Sequence, residues 1–155
     1  MDAKNSPAEL AAEALKQTLT LSRFFQAPRE LVYSAWIEPA KMLRWYGPAG
    51  AQTLKAESDP RVGGRYRVLM RTPDGNEHDV SGVFREVAPY EKLVFTWTWT
   101  STPERESLVT VQLSSEGSGT RMSFKHEKFF DELDRDNHAQ GWGGAFDNLE
   151  KSLAN

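Results

Sequence analysis

Histidine is the side chain best suited to acid–base chemistry near neutral pH, and this sequence of 155 residues has three. His126 follows Met122 and Phe124 at a spacing of two, which places all three on one face of a β-strand. Because that face is apolar, we expect His126 to point toward a cavity, where it could exchange a proton with a bound carbonyl or phenol. The other interpretation is a structural histidine at the pocket rim, bonded to backbone or water. We favour the structural role, and His126 is the candidate catalytic residue of the alternative.

Metal chemistry and nucleophilic catalysis find little support in the sequence. His78 and His138 complete the set of histidines, and no pair shows a ligand spacing such as adjacent turns of one helix. The absence of cysteine excludes a disulfide framework, a thiolate metal site and a cysteine nucleophile. No glycine-rich phosphate loop or serine nucleophile elbow is visible. We therefore expect no metal and no cofactor.

Aromatic residues are unusually frequent, with five tryptophans, eight phenylalanines and four tyrosines. An indole N–H needs a partner when buried, so tryptophan suits the wall of a cavity that holds an apolar ligand with one polar end. The candidate ligand-binding residues are Trp45, Tyr66, Met70, Trp97, Trp99, His126, Trp142 and Phe146. Trp45 and Tyr46 could border the entrance. The other interpretation is an ordinary aromatic core, which we expect to hold for about half of these residues.

A C-terminal helix has to position two of these candidates. Over Asp134–Leu153 the apolar residues recur at the spacing of one helical face, which consists of Trp142, Phe146, Leu149 and Leu153. The opposite face is polar, so we expect the apolar stripe to lie on a sheet. The candidate N-caps of the helix are Asp134, Asp136 and Asn137.

Three glycines interrupt this helix at Gly141, Gly143 and Gly144, and each costs up to ~1 kcal/mol relative to alanine. One explanation is a close approach of the helix backbone to a strand. The other is a gap left beside Trp142 for a ligand. We favour the close approach, which is the more usual role of glycine in a packed element.

The rest of the chain is predicted to form a sheet. Period-two alternation or β-branched and aromatic runs predict strands over residues 18–26, 64–71, 77–87, 92–101, 105–114 and 120–129. Two short helices follow the first strand, the first starting at Pro28. The fold class is therefore α+β, with a curved antiparallel sheet of about six to seven strands wrapped around the C-terminal helix. A cavity between the two is the expected by-product.

The outward face of the strand over residues 64–71 carries Arg65, Arg67 and Arg71. We expect these side chains to be solvated and paired with acids such as Glu77 or Asp79, and we favour this role over anion binding.

Composition limits the classes of binding partner and indicates the cellular compartment. The net charge of -3 leaves no basic footprint for nucleic acid or anionic lipid. The first residues lack the apolar core of a signal peptide, and no stretch approaches the ~20 apolar residues of a membrane span. We expect a cytoplasmic protein that binds no nucleic acid and does not insert into a membrane.

The length suits one domain. A capping box that begins at Ser6, with proline at the first helical position, predicts a short N-terminal helix. We therefore divide the chain into a helical extension over residues 1–17 and a domain over residues 18–155.

The order of elements and several motifs resemble a known superfamily. The motifs are Trp36-Ile37-Glu38-Pro39, Leu43-Arg44-Trp45-Tyr46-Gly47-Pro48, Val62-Gly63-Gly64-Arg65-Tyr66-Arg67 after a strand, Gly82-Val83-Phe84-Arg85-Glu86-Val87-Ala88-Pro89 and Gly141-Trp142. Together they resemble the START-like (SRPBCC, Bet v 1-type) superfamily with the helix-grip fold, and within it the activator of Hsp90 ATPase homologue branch. The resemblance spans roughly residues 18–153. It implies a hydrophobic tunnel that takes lipids, polyketides or other apolar molecules.

The branch is named after a domain of eukaryotic co-chaperones, which carry a separate domain for chaperone contact. We expect no such domain in a sequence of this length, so the resemblance gives only slight support to a chaperone partner.

Three hypotheses for function remain. The first is a module that binds a small hydrophobic or amphipathic molecule between sheet and helix. The second is a cyclase or hydrolase that uses the same cavity, with His126 and a polar neighbour as acid–base groups. The third is a protein-interaction domain that contacts a chaperone or forms a homodimer. The first requires an open apolar cavity, the second converging polar groups, and the third an exposed apolar patch.

Overall fold

A computed structural model describes residues 6–154 of the chain. Its elements, in order, are α1 (Pro7–Lys16), β1 (Leu19–Phe25), α2 (Arg29–Ile37), α3 (Pro39–Met42), β2 (Gln52–Ser58), β3 (Arg65–Arg71), β4 (Glu77–Ala88), β5 (Lys92–Trp99), β6 (Ser107–Glu116), β7 (Gly119–Glu127) and α4 (Glu132–Leu153). The predicted α+β order of strand, two short helices, further strands and long C-terminal helix is confirmed.

All seven strands belong to one antiparallel sheet in the order β1-β7-β6-β5-β4-β3-β2. Each strand from β2 to β7 pairs with its neighbour in sequence, and β1 returns to pair with β7. The register shifts between Thr53 and Lys55 in β2 and between Phe84 and Glu86 in β4. Such irregularities bend a strand and increase its twist, which helps the sheet to curl around α4.

β2 is the strand that the residue pattern did not predict. It lies at the sheet edge, and none of its side chains is fully buried. An edge strand with both faces partly solvated has no strict apolar alternation to detect. Only the resemblance, which places a strand before Val62, anticipated it.

Helix α4 begins earlier than expected, and its N-cap is Asp131 rather than Asp134, Asp136 or Asn137. The Asp131 carboxylate accepts a hydrogen bond from the N–H of Asp134 at 2.8 Å. The prediction was wrong because the first turns of α4 carry no apolar stripe, so the periodic signal starts one or two turns late. The stripe itself is confirmed, and its buried members are Trp142, Ala145, Phe146 and Leu149.

The core lies between the sheet, α2 and the second half of α4, and Trp36 of α2 is in its centre. The centroid of its ring system is 4.7 Å from that of Trp45, 5.8 Å from that of Trp142 and 6.2 Å from that of Phe146. All four side chains are at most 4% exposed. This cluster, which we call the aromatic core, packs between the sheet and the helices α2 and α4.

Helix α1 forms as predicted, with the Ser6 hydroxyl accepting a hydrogen bond from the N–H of Glu9 at 3.2 Å. No side chain of α1 is buried. The division of the chain at residues 17 and 18 stays a prediction, and the part of it that concerns residues 1–5 lies outside the described residues.

Two of the three outward arginines form the expected ion pairs. Arg67 makes two hydrogen bonds to the carboxylate of Asp79, at 2.9 and 2.8 Å, and Arg71 makes one to Glu77 at 2.9 Å. Solvent screening makes exposed pairs of this kind weak contributors to stability. Across residues 6–154, no helix combines the length and apolar character needed to cross a bilayer.

Candidate functional site

An open cleft of about 590 Å³ lies between the first half of α4 and the sheet. Its apolar wall consists of Tyr46, Met70, Trp97, Trp99, Trp142 and Ala145. Its polar rim consists of Thr72, His78, Asp134, Asn137, His138 and Gln140. The volume is within the range of about 300–1,000 Å³ that small-molecule sites occupy.

The glycines of α4 explain how the cleft is bounded. A Cβ atom on Gly144 would lie 2.5 Å from the backbone nitrogen of Ala49, so this glycine lets a loop approach the helix. That loop carries Gly47 at a φ of +105°, a conformation that favours glycine. A Cβ on Gly141 or Gly143 would meet no atom within 4 Å, and Gly141 lines the cleft. The close approach is therefore found at Gly144, to a loop and not to a strand, and Gly141 leaves open space in the cleft. That a ligand fills this space stays a prediction.

Trp142 belongs to the aromatic core and also lines the cleft. Its ring lines the cleft and lies 4.9 Å from the ring of Trp97, centroid to centroid. Trp97 in turn packs edge-to-face on Trp99 at 5.4 Å and 89°. Trp99 is only partly buried, whereas Trp97 and Trp142 are each 4% exposed. The floor of the cleft is thus an extension of the core that ends in a solvent-accessible indole.

His126 is fully buried and forms part of a hydrogen-bond chain. The indole N–H of Trp142 donates to its Nδ1 at 3.0 Å, which leaves Nε2 to carry the proton of the neutral ring. Nε2 lies 2.7 Å from the Ser107 hydroxyl oxygen, and that hydroxyl donates to the carbonyl of Trp97 at 3.2 Å. Each polar atom of the His126 ring therefore has a partner, and the chain runs from α4 to the middle of the sheet.

The environment of His126 opposes acid–base chemistry. Burial lowers the pKa of His126 well below its usual value, and the charge of His138 lowers it further. With 0% exposure it is not at the pocket rim, and it is not among the described residues that line the cleft. The Ser107 hydroxyl is next to it but accepts a hydrogen bond from Nε2–H rather than donating one, so the pair is not arranged as a nucleophile and its base.

A second histidine–tryptophan pair lies at the cleft itself. The indole N–H of Trp99 donates to Nε2 of His138 at 3.0 Å, and Nδ1 of His138 donates to the carbonyl of Asp134 at 2.8 Å. Burial lowers the pKa of His138, although the hydrogen bond and charge of Asp134 act in the opposite direction. Both ring nitrogens are engaged, as in His126. Within residues 6–154, no group of three or more histidine or acidic side chains could hold a metal ion.

The structure separates the eight candidate residues into two sets. Those that line the cleft are Met70, Trp97, Trp99 and Trp142. Those that lie behind it in the core are Trp45, Tyr66, His126 and Phe146. The polar atoms of the second set are satisfied internally: the indole of Trp45 donates to the Ala35 carbonyl at 2.8 Å, and the hydroxyl of Tyr66 to the Thr96 carbonyl at 2.6 Å. Contact with a ligand stays a prediction for all eight residues.

The polar rim is what the sequence reasoning missed. Asp134, His138, Gly141 and Ala145 recur at the spacing of one helical face and continue the apolar stripe toward the N-terminus of α4. This pattern was a usable signal. Asp134 was considered only as a helix cap, and His138 only as a metal ligand, a role that was rejected, so their common face was not recognised.

Two buried indole N–H groups, those of Trp36 and Trp97, have no hydrogen-bond partner among the described residues. An unsatisfied buried donor costs about 1–3 kcal/mol. Trp97 lines the cleft but Trp36 does not, so an unpaired indole is not specific to the cleft.

Comparison with known proteins identifies related sequences and folds. The family model described as "Activator of Hsp90 ATPase homolog 1-like protein" matches residues 26–154. A search of curated proteins found no match.

Three solved structures are similar to this chain. A Chromobacterium violaceum protein has 27% identity and a TM-score of 0.81, with 88% of this chain and 96% of that chain covered. A Silicibacter pomeroyi protein described as AHSA1 has 27% identity and a TM-score of 0.79, with 88% and 97% covered. A Rhizobium leguminosarum protein has 29% identity and a TM-score of 0.74, with 88% and 93% covered.

Proposed function

This chain belongs to the activator of Hsp90 ATPase homolog 1-like family within the START-like superfamily, and from that basis we propose that it binds a small amphipathic molecule in the cleft beside α4. The observation that carries the proposal is the combination of an open volume of about 590 Å³, an aromatic floor and a polar rim. The apolar body of the ligand lies on Trp99 and Trp142. Its polar end lies at the rim, where solvent and hydrogen-bonding groups are available.

The aromatic floor supplies the affinity in this account. Moving apolar surface from water onto the indole rings contributes roughly 25 cal/mol per Å². The rings are held by Trp97–Trp142 and Trp97–Trp99 packing and by the hydrogen bonds of Trp99 and Trp142 to histidines, so little side-chain entropy is lost on binding. The hydrogen-bonding groups of the polar rim orient the polar end of the ligand.

The enzyme alternative receives less support from the geometry. His126 is outside the cleft lining, and both ring nitrogens of His126 and His138 are already engaged. A general base needs a free lone pair within reach of its substrate. A chaperone partner rests on the family description alone, and a homodimer stays a prediction.

The proposal is tested by isothermal titration calorimetry with a neutral aromatic probe, 2-(2-naphthyl)ethanol. The variant Gly141→Leu places a side chain in the cleft, and the expected result is at least a tenfold loss of affinity. The matched control is Gly143→Leu, on the same helix but outside the cleft lining, which we expect to change affinity less than about twofold.

Both variants should fold. Neither glycine has a positive φ or a neighbour within 4 Å of its Cβ position, and leucine favours a helix over glycine by roughly 0.8 kcal/mol. Circular dichroism confirms folding before titration. Equal affinity in the two variants, or no binding of the probe by the unmodified protein, contradicts the proposal.

A further inference from the structure

Asp134 gives the cleft a carboxylate that pairs with no lysine or arginine of residues 6–154. Asp134 lines it, with 26% of its side chain exposed. Within residues 6–154, Asp134 forms one ion pair, with His138, whose Nδ1 lies 3.4 Å from its Oδ1. Burial lowers the pKa of His138, although Asp134 acts in the opposite direction, so the neutral form of this imidazole is favoured over a charged partner for the carboxylate.

The basic side chains in the described lining are the histidines His78 and His138. None of the described residues around the cleft is lysine or arginine. Arg135 is adjacent to Asp134 in sequence, but its guanidinium pairs with Glu132 at 3.3 Å and Asp136 at 2.8 Å. A bound carboxylate would therefore meet Asp134 without a counter-ion, and like charges in a partly buried site repel each other.

The N-terminus of α4 favours the binding of an anion, but the carboxylates around it outweigh this effect. A helix macrodipole is equivalent to about half a positive charge at this end. Asp131, Glu132 and Asp134 place three carboxylates at the cap and first turn, and Asp131 already accepts one of the free N–H groups. Even with Arg135 beside them, the net local charge is negative.

We infer that the cleft selects amphipathic molecules with a cationic head, whose apolar body lies on the tryptophans and whose ammonium group binds the Asp134 carboxylate. The inference rests on the proposed function, since it names the ligand class of the same cleft. The aromatic lining acts in the same direction, because the faces of rings such as Trp99 and Tyr46 attract cations. Fatty acids and other carboxylates are disfavoured.

Three probes with one naphthalene body test the charge preference. They are 2-(2-naphthyl)ethylamine, 2-(2-naphthyl)ethanol and 2-naphthylacetate, which carry a positive, a neutral and a negative head. At pH 7.5, calorimetry is expected to show the amine binding about tenfold tighter than the alcohol and the carboxylate about tenfold weaker, an effect between the bulk-water and protein-surface values for two charges about 4 Å apart.

Two matched variants locate the effect. Asp134→Asn removes the charge and keeps the shape, so the amine should bind within about twofold of the alcohol. Asp136→Asn makes the same change two residues further along α4, outside the cleft lining, and should keep the tenfold preference.

The outcomes separate this inference from the proposed function. If the alcohol binds but the unmodified protein shows no preference for the amine, or prefers the carboxylate, the inference is overturned and the proposed function stands. A preference that survives in Asp134→Asn also overturns it. If none of the three probes binds, the proposed function fails together with the inference.

Discussion

The aromatic core and the cleft are built from the same kind of side chain, yet one is closed and the other open. In the core, Trp36, Trp45 and Phe146 are each at most 2% exposed and fill the space between sheet and helix. In the cleft, Gly141 leaves space at α4 where a larger residue would project, and Trp99 stays partly exposed. Aromatic content therefore does not define the candidate site. The absence of a side chain at Gly141 of α4 defines it.

The same contrast separates the two histidine–tryptophan pairs. Each histidine accepts the N–H of an indole, at 3.0 Å in both cases. His126 gives its remaining N–H to Ser107 and has 0% exposure, whereas His138 bonds the Asp134 carbonyl and keeps 12% of its side chain exposed at the cleft. The Trp142–His126 pair connects α4 to the sheet by a buried hydrogen bond. The Trp99–His138 pair holds the orientation of the Trp99 ring on the cleft floor.

Alanine substitution of Trp142 in the core and of Trp99 in the cleft should give the largest difference in stability between the two regions. Trp142→Ala removes a buried side chain and leaves Nδ1 of His126 without its donor, so we expect a loss of about 3–5 kcal/mol in unfolding free energy. Trp99→Ala removes a partly solvated side chain, and the loss should be less than half of that. Equilibrium unfolding in urea, followed by circular dichroism, measures both.

A loss below about 1 kcal/mol for Trp142→Ala contradicts its role in the core. A loss for Trp99→Ala equal to that of Trp142→Ala contradicts the distinction between core and cleft.

Stability should fall as the pH drops below about 6.5. The folded-state pKa of His126 and His138 is lowered by burial, so below this pH the unfolded chain binds more protons than the folded one. The contribution of each neutral histidine to the free energy of unfolding is fully present above pH 6.5. Below that pH it decreases by about 1.4 kcal/mol per pH unit until the folded-state pKa of the histidine is reached. Urea unfolding at intervals between pH 7.5 and 5.5 measures the slope.

The variant His126→Gln serves as the control, because glutamine has both a donor and an acceptor but does not titrate. It should retain only the part of the slope that His138 contributes. A free energy of unfolding that is constant between pH 7.5 and 5.5 is inconsistent with buried neutral histidines.

Single alanine substitutions at two glycines of α4 should have small effects of opposite sign. Gly141→Ala gains helix propensity in open space and should stabilise by up to about 1 kcal/mol. In Gly144→Ala the new methyl group would lie 2.5 Å from the Ala49 nitrogen, so the loop must move, and we expect a net loss of about 1 kcal/mol. Thermal unfolding of both variants checks the signs, and stabilisation by Gly144→Ala would show that the loop is not in close contact.

Elements with a strong local pattern could be predicted from sequence. The apolar stripe of α4 lies opposite a polar face, and in β5 the large apolar residues Leu93, Phe95 and Trp97 alternate with smaller ones, so each element has a clear period. β2 could not be recognised from its residues because it lies at the sheet edge. The start of α4 was misplaced for a related reason: its first turns border the cleft and the solvent.

The position of the cleft was less accessible to sequence reasoning. Alternation correctly placed His126 on an inward face but could not distinguish a core from a cavity wall, since both are reached by inward side chains. That distinction depends on which loop reaches the helix. The approach of Ala49 to Gly144 is a contact between residues 95 positions apart, and no local pattern encodes it.

Two-dimensional ¹H–¹⁵N NMR of the five indole N–H groups tests the central claim most directly, because these groups sample both regions. During titration with 2-(2-naphthyl)ethanol, the account predicts the largest shift for Trp99, intermediate shifts for Trp97 and Trp142, and the smallest for Trp45, whose N–H is bonded to Ala35 in the core. Assignment uses one conservative variant per tryptophan. Shifts that are largest at Trp45, or absent at Trp99, would contradict binding in the cleft.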